Sequence, residues 1–95
     1  MTTLRIEHKI PNFDGWKKAF ESDPVNRRKS GVRGHRIFRP ADDPNYVIID
    51  LEFDNLADAE GMLVALHKLW DKVEGQIMFN PQTRILDMVE FIAYQ

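Results

Sequence analysis

Two histidines and one aspartate stand at positions where the surrounding sequence predicts apolar strand residues. His8 falls on the apolar side of LRIEHKI, Asp87 shares a side with Ile85 near the end of the chain, and His35 precedes the turn PADDPN. Imidazole suits general acid–base chemistry because its pKa lies near working pH. A neighbouring carboxylate would hold one tautomer and raise the histidine pKa. We therefore predict His8, His35 and Asp87 as catalytic residues. The alternative is a hydrogen-bonded core histidine and an aspartate near solvent.

Aromatic side chains recur at helical spacing in the segments that would cover these residues. Trp16 and Phe20 share one stripe of FDGWKKAFESDP, and Trp70 ends the apolar stripe of NLADAEGMLVALHKLW. We predict that these three rings wall a small apolar pocket above the histidines. The alternative is that tryptophans at this spacing are ordinary core residues.

Periodicity and turn residues define six elements around these candidates. Strands with period two are predicted at 4–10, 33–39, 46–53 and 83–92, and helices at 13–24 and 55–70. Asp14 and Asn55 are the expected N-caps, and KVEGQIMFNP is expected to be a short helical turn and loop. The order β-α-β-β-α-β predicts an α+β, ferredoxin-like domain with a four-stranded antiparallel sheet. Such a sheet places its first and fourth strands side by side, so His8 and Asp87 are expected to be near neighbours.

The register of the hairpin between the second and third strands decides where His35 points. One register places His35 beside Leu51 on the helix side, and a slip of one residue turns it outward. We favour the inward register because Ile37 then packs inward as well, which leaves Phe38 on the opposite face. That opposite face mixes charges of both signs with apolar groups: Arg5, Glu7, Lys9, Ile48, Asp50, Glu52, Arg84, Leu86, Met88 and Glu90.

Composition narrows the classes of protein that fit. The 95 residues predict a single domain over 1–95, and a net charge of −2 does not favour nucleic acid as a partner. The absence of cysteine excludes disulfides and thiol chemistry, and the histidines lack metal-ligand spacing. No long apolar run or signal pattern is present, so we expect a cytoplasmic protein without a membrane partner. A basic cluster is interpreted as a solvated helix end, although it could steer an anionic ligand: Arg27, Arg28, Lys29, Arg33 and Arg36.

Three stretches of the sequence resemble a known superfamily. GWKKAFESDP, RRKSGVRGHRIFRPADDPNYVIIDLEF and NLADAEGMLVAL are similar to small members of the dimeric α+β barrel superfamily. The superfamily includes antibiotic-biosynthesis-monooxygenase-like proteins and small bacterial cyclase-like proteins. The resemblance implies a homodimer in which two sheets meet face to face with the helices outside. It also implies a ligand pocket between each sheet and its helices.

The expected function is the binding of a small molecule. The fold alone does not determine which reaction, if any, the protein catalyses. The resemblance implies a cofactor-free monooxygenase- or cyclase-like protein acting on an aromatic or polyketide-like compound. No metal or organic cofactor is expected, and haem binding would rest on analogy alone. The alternative is a dimeric binding or accessory module without catalysis, so the sequence leaves open whether the protein is an enzyme.

Overall fold

Six elements follow one another in the predicted β-α-β-β-α-β order. The structure is a computed structural model that describes residues 1–73 and 78–95, with the backbone alone for residue 73. Every strand pair is antiparallel, and the sheet order is β2-β3-β1-β4. The ferredoxin-like prediction is therefore confirmed. The elements are β1 (Thr2–Lys9), α1 (Phe13–Glu21), β2 (Val32–Phe38), β3 (Tyr46–Phe53), α2 (Leu56–Val73) and β4 (Phe79–Asp87).

The core lies between the two helices and one face of the sheet. Alternate residues of the central strands β1 and β3 point into it because strand side chains alternate between faces. Burial of their apolar surface is the main favourable term in folding. The buried apolar residues on this side include Leu4, Ile6, Val47, Ile49, Leu51 and Phe53 from the strands, with Trp16, Ala59, Met62, Leu66 and Trp70 from the helices.

Asparagine side chains begin both helices. Asn12 Oδ1 accepts a hydrogen bond of 2.7 Å from the backbone N–H of Gly15, so Asn12 is the N-cap of α1. The prediction of Asp14 at this position is wrong, because Asp14 already lies in the first helical turn. Asn55 Oδ1 accepts a bond of 2.9 Å from the backbone N–H of Asp58, which confirms the predicted cap of α2.

The hairpin takes the register that turns His35 toward the helices. His35 lies opposite Leu51 and Ile37 lies opposite Ile49, whereas Phe38 is on the outer face beside Ile48. A register shift between Val32 and Gly34 leaves one extra residue in β2. This bulge lets Val32 face the core. The preferred register of His35 is confirmed.

The last strand differs from its prediction at both ends. It begins at Phe79 and ends at Asp87 rather than running over 83–92, and residues 74–77 of the predicted turn and loop lie outside the described residues. Asn80 has φ 56°, and the pairing with β1 shifts between Glu7 and Lys9, so β4 bulges beside Pro81. Proline lacks the backbone N–H that a regular hydrogen-bond ladder needs.

Within the described chain, no helix is long and apolar enough to cross a membrane.

Residues 88–95, the C-terminal arm, follow β4 without joining a strand. Val89 is 95% exposed and Phe91 is 73% exposed. The predicted strand over 83–92 would have placed both on the helix side with Ile85, and this is wrong because β1 begins at Thr2 and offers no further residues for the arm to pair with. The link of the Met88 backbone N–H to the Met1 carbonyl, at 3.2 Å, continues the pairing by one residue beyond Asp87.

Candidate functional site

A cavity of about 270 Å³ lies between the helices and the inner face of the sheet. Its volume is close to the lower limit of pockets that hold small organic ligands, about 300 Å³. Its walls are mostly apolar, which suits a ligand with a large hydrophobic surface. The apolar lining residues are Ile6, Trp16, Ala19, Phe20, Pro24, Ile49, Leu51, Leu66, Leu69, Trp70 and Met78.

His8 is the buried polar side chain of this cavity. Its side chain enters from β1, and the residue is only 3% exposed. Nδ1 lies 3.2 Å from the Lys9 carbonyl oxygen. A carbonyl can only accept, so Nδ1 carries the proton and Nε2 carries the lone pair. Among the described residues Nε2 has no hydrogen-bond partner, so it is free to accept a hydrogen bond from a ligand.

Burial controls the charge of His8. It lowers the pKa of the imidazole below its ordinary value, and the Lys9 carbonyl opposes this shift more weakly. The ring is therefore neutral near pH 7. A neutral imidazole with an unoccupied Nε2 can accept a proton from an acidic hydroxyl or carbon, which is the role of a general base.

Two rings of α1 form one wall beside His8. Trp16 meets His8 edge-on with centroids 6.2 Å apart, and stacks on Phe20 with centroids 5.2 Å apart and planes at 30°. Residues four apart lie on one face of a helix, so Asn12 and α1 together place both rings over the sheet. The third predicted wall residue, Trp70, reaches the cavity from α2.

Arg27 lines the cavity in the turn that follows α1. Its Nη1 donates to the Phe20 carbonyl at 2.8 Å, and its Cζ lies 3.9 Å from the centroid of the Phe20 ring. Asp23, with φ 53°, turns the chain and lies 3.4 Å from Nη1. The guanidinium is therefore fixed by a carbonyl, a ring and a carboxylate.

The structure does not bring the three predicted catalytic residues together. Asp87 is exposed and lies opposite Thr2, six residues along β1 from His8, which corresponds to about 20 Å. The expected contact between Asp87 and His8 is wrong, because strand adjacency does not fix which residues pair. His35 lies opposite Leu51 whereas His8 lies opposite Val47, so the backbone positions of the two histidines are about 16 Å apart across the sheet.

His35 touches the site from outside the cavity. Its ring meets Phe20 edge-on at 5.1 Å between centroids, and the residue is exposed. Its pKa is lowered, first by partial burial and then by the charges of Arg27 and Lys17. The charges of Arg27 and Lys17 therefore act on the His35 ring. Within residues 1–73 and 78–95, no group of three or more histidine or acidic side chains is placed to hold a metal ion.

The comparisons with known proteins concern the fold. SnoaB, a cofactor-independent oxygenase from Streptomyces nogalater, matches with a TM-score of 0.74 at 9% identity, over 98% of this chain and 97% of SnoaB. A Nitrosomonas europaea protein described as an antibiotic biosynthesis monooxygenase matches with a TM-score of 0.62 at 20% identity, over 95% of this chain and 100% of that one. The chain has the fold of these proteins. The resemblance expected from the sequence is confirmed at that level.

A dimeric ferredoxin-like protein from an uncultured marine organism also has this fold. It matches with a TM-score of 0.65 at 12% identity, over 98% of this chain and 92% of that one. The sequence matches no family model, and no curated protein shows significant sequence similarity to it. Identities this low show the shared fold and do not establish an activity or a substrate for this chain.

The sequence places Arg27 in a basic cluster that is interpreted as a solvated helix end and that could steer an anionic ligand, but it does not predict that Arg27 lines the cavity. The Arg27 side chain is only 17% exposed. Its place depends on the positive φ angles of Asp23 and Asn26, which turn the chain back toward Phe20. Asp and Asn adopt this conformation more readily than most residues. Their spacing in DPVN was the signal for a tight turn, but it did not indicate what the arginine would contact.

The outer face of the sheet is a network of ion pairs and hydrogen bonds. Arg5 Nε and Nη2 donate to the two carboxylate oxygens of Asp50 at 2.8 and 2.9 Å. Thr3 Oγ1 donates to Glu52 at 2.8 Å, and Arg36 reaches the other oxygen of Glu52 at 3.3 Å. These contacts give Asp50 and Glu52 structural partners on the face opposite the cavity. Neither carboxylate is positioned to act on a ligand beneath the helices.

Proposed function

We propose that this protein binds a small aromatic or polyketide-like compound beneath its helices and uses His8 as a general base on it. The observation that carries the proposal is the neutral imidazole of His8, which lines a mostly apolar cavity and has no hydrogen-bond partner for Nε2 among the described residues. His8 would touch the reacting hydroxyl or carbon directly, whereas Trp16, Phe20 and Trp70 would hold the ring system. His35 and Asp87, away from the cavity, have no contact with the reacting atoms in this scheme.

The chemistry follows from proton removal alone. Transfer of a proton from an enolisable CH₂ group to His8 Nε2 leaves an enolate, whose carbon is electron-rich. Dioxygen can oxidise that carbon, so that CH₂ and O₂ become a carbonyl group and water, which is a monooxygenase-like outcome. The same enolate can instead attack a carbonyl of its own chain, which is a cyclase-like outcome. Both routes use one base and no cofactor, and the cofactor-independent oxygenase with this fold supports the first.

Deuterium exchange tests the proton transfer without assuming either route. The α-CH₂ protons of 2-tetralone exchange in D₂O once they are removed by a base, and proton NMR measures the rate. We expect the wild-type protein to exceed His8→Gln by about 100-fold or more, the usual size of a general-base contribution. His67→Gln is the matched control because His67 is exposed on α2.

The outcomes of this experiment separate the functions. Binding of 2-tetralone in calorimetry with no acceleration of exchange would overturn the catalytic role and leave a binding module. Equal rates for wild type and His8→Gln would exclude His8 as the base. Failure of 2-tetralone to bind would count against the cavity as a site for bicyclic ketones.

We also propose that two copies associate through the outer sheet face to form a dimeric α+β barrel. Apolar groups are exposed there and on the adjoining arm, including Phe38 at 43%, Met88 at 44% and Phe91 at 73%. Balanced charges lie between them, so a second copy could cover the face without burying excess charge of one sign. The dimeric protein of the same fold supports this assembly.

Sedimentation measures the assembly directly. The full chain is expected to sediment as a dimer, and Phe38→Glu is expected to shift it toward the monomer because the new charge would be buried without a partner. Val64→Glu is the matched control, since Val64 is 57% exposed on α2, away from the sheet. A monomeric full chain at micromolar concentration would contradict the proposal.

A further inference from the structure

Arg27 is the cationic side chain that borders the cavity, and it lies beyond the rings that separate it from His8. Three consecutive contacts lead from one end to the other: 3.9 Å from the guanidinium to the Phe20 ring, 5.2 Å from Phe20 to Trp16, and 6.2 Å from Trp16 to His8. The cavity thus has a cation at one end, a proton acceptor at the other, and a stacked aromatic wall between them.

The guanidinium keeps donors for a ligand after its contacts within the chain are counted. Nη1 is occupied by the Phe20 carbonyl and by Asp23. In the described part of the chain, no partner is found for Nε or Nη2. The Asp23 carboxylate offsets part of the charge, but its Oδ1 also accepts the Arg27 backbone N–H at 2.9 Å. Arginine with free planar donors suits a carboxylate better than a point charge would.

Charged groups of both signs lie near Arg27. Lys17 lies on the same helix as Phe20 and pairs with Glu21 at 3.4 Å. The pKa of His35 is lowered first by partial burial and then by the charges of Arg27 and Lys17, which act on the ring more strongly than the opposing charge of Asp23. The two cations are therefore close enough to attract an anionic group beside Phe20, although Asp23 opposes part of that attraction.

We infer that the ligand of this cavity is a bicyclic aromatic compound with an anionic group, bound by Arg27, at the end opposite the hydroxyl or carbon that faces His8. This inference rests on the proposed function, and it adds the charge and the orientation of the ligand. Arg27 is a specificity-determining residue in this scheme, because it contacts the ligand at a distance from the reacting atoms.

Three related probes test the contribution of each end of the ligand separately. 6-Hydroxy-2-naphthoate carries both groups, 2-naphthol lacks the carboxylate, and 2-naphthoate lacks the hydroxyl. Calorimetry should show wild type binding 6-hydroxy-2-naphthoate about tenfold or more tightly than 2-naphthol, as expected for one charge-assisted hydrogen bond. Arg27→Gln should remove that preference, and Arg27→Lys should restore part of it.

Arg28→Gln is the matched control, because Arg28 is the exposed neighbour of Arg27 and does not line the cavity. It should leave the preference unchanged. Thermal unfolding of each variant establishes that it is folded, and Arg27→Lys provides a second folded variant if Arg27→Gln is unstable. Equal binding of 6-hydroxy-2-naphthoate and 2-naphthol by wild type would overturn the inference while leaving the proposed function intact. Binding of none of the three probes would overturn both.

Discussion

The rings of His8 and Trp16 meet edge to face, with centroids 6.2 Å apart and planes at 62°. This contact couples the first strand to the first helix at the cavity. The helix therefore supplies one wall of the cavity and packs against the base, which β1 carries.

Stability should fall as the pH drops through the ordinary histidine value of about 6.5. Because burial lowers the pKa of His8, the unfolded chain takes up a proton at a pH where the folded chain does not. The unfolded state is then favoured, with a limiting slope of about 1.4 kcal/mol per pH unit for one group. Urea unfolding between pH 7.5 and 5.5 measures the free energy of unfolding.

His8→Gln provides the comparison for this pH dependence. Its stability should change less steeply over the same range, because the titrating group is gone while all carboxylates remain. His35→Gln is measured separately, since the pKa of His35 is also lowered and acts in the same direction. Parallel curves for wild type and His8→Gln would show that His8 is not held neutral by the fold.

Filling the cavity should abolish binding without unfolding the protein. Ala19 lines the cavity on α1, and leucine at this position would occupy part of the space while preserving helix propensity. Ala19→Leu should weaken binding of 2-naphthol about tenfold or more, as measured by calorimetry. Ala57→Leu is the control, because Ala57 is exposed in the first turn of α2. Unchanged binding by Ala19→Leu would place the ligand elsewhere.

The Arg5–Asp50 pair should contribute more to the free energy of unfolding than a surface ion pair does. The Asp50 side chain is 8% exposed and its two oxygens are both bonded, whereas Arg5 is 43% exposed. Allowing for solvent screening at Arg5, Asp50→Asn should cost about 1–2 kcal/mol in the free energy of unfolding. The control is Asp54→Asn, whose pair with Arg33 is more than half exposed on both sides. Its cost should be smaller because solvent screens an exposed pair, and equal costs for the two variants would show that burial of Asp50 adds nothing to the pair.

The N-cap of α1, Asn12, should stabilise the helix that carries one wall of the cavity. Asn12→Ala removes the acceptor for the Gly15 N–H and should cost about 1 kcal/mol. Asp14→Asn, at the position the sequence favoured, should cost less because Asp14 does not cap the helix and contributes only through the helix dipole. Denaturant unfolding measures both. A larger loss for Asp14→Asn would reverse the assignment of the cap.

The sequence predicted those features that follow from local periodicity. Alternation placed Leu4, Ile6 and Ile49 on the inner face, and turn residues located the hairpin that turns His35 inward. The bulge at Asn80 and Pro81 was missed, because a proline in such a segment reads as a loop rather than a strand. The helical segments were also predicted from periodicity, because their apolar residues recur at the period of a helix.

The sequence did not predict how residues that are distant in the chain align with one another. The distance between His8 and Asp87 depends on how far β4 slides along β1, and alternation constrains only the face on which each lies. The contact of Arg27 with Phe20 likewise depends on a turn with two positive φ angles. The arm carries the same alternation as a strand, but alternation alone cannot supply the neighbour that a strand requires.

The most direct test of the central claim is the nitrogen NMR spectrum of His8 with and without 6-hydroxy-2-naphthoate. In the free protein at pH 7.5, Nδ1 should be protonated and Nε2 unprotonated. The ligand should move the Nε2 resonance as it accepts a hydrogen bond from the ligand hydroxyl, while Nδ1 stays protonated. His8→Gln identifies the signals. An Nε2 resonance that stays unchanged while calorimetry shows the ligand bound would contradict the claim that His8 faces the ligand.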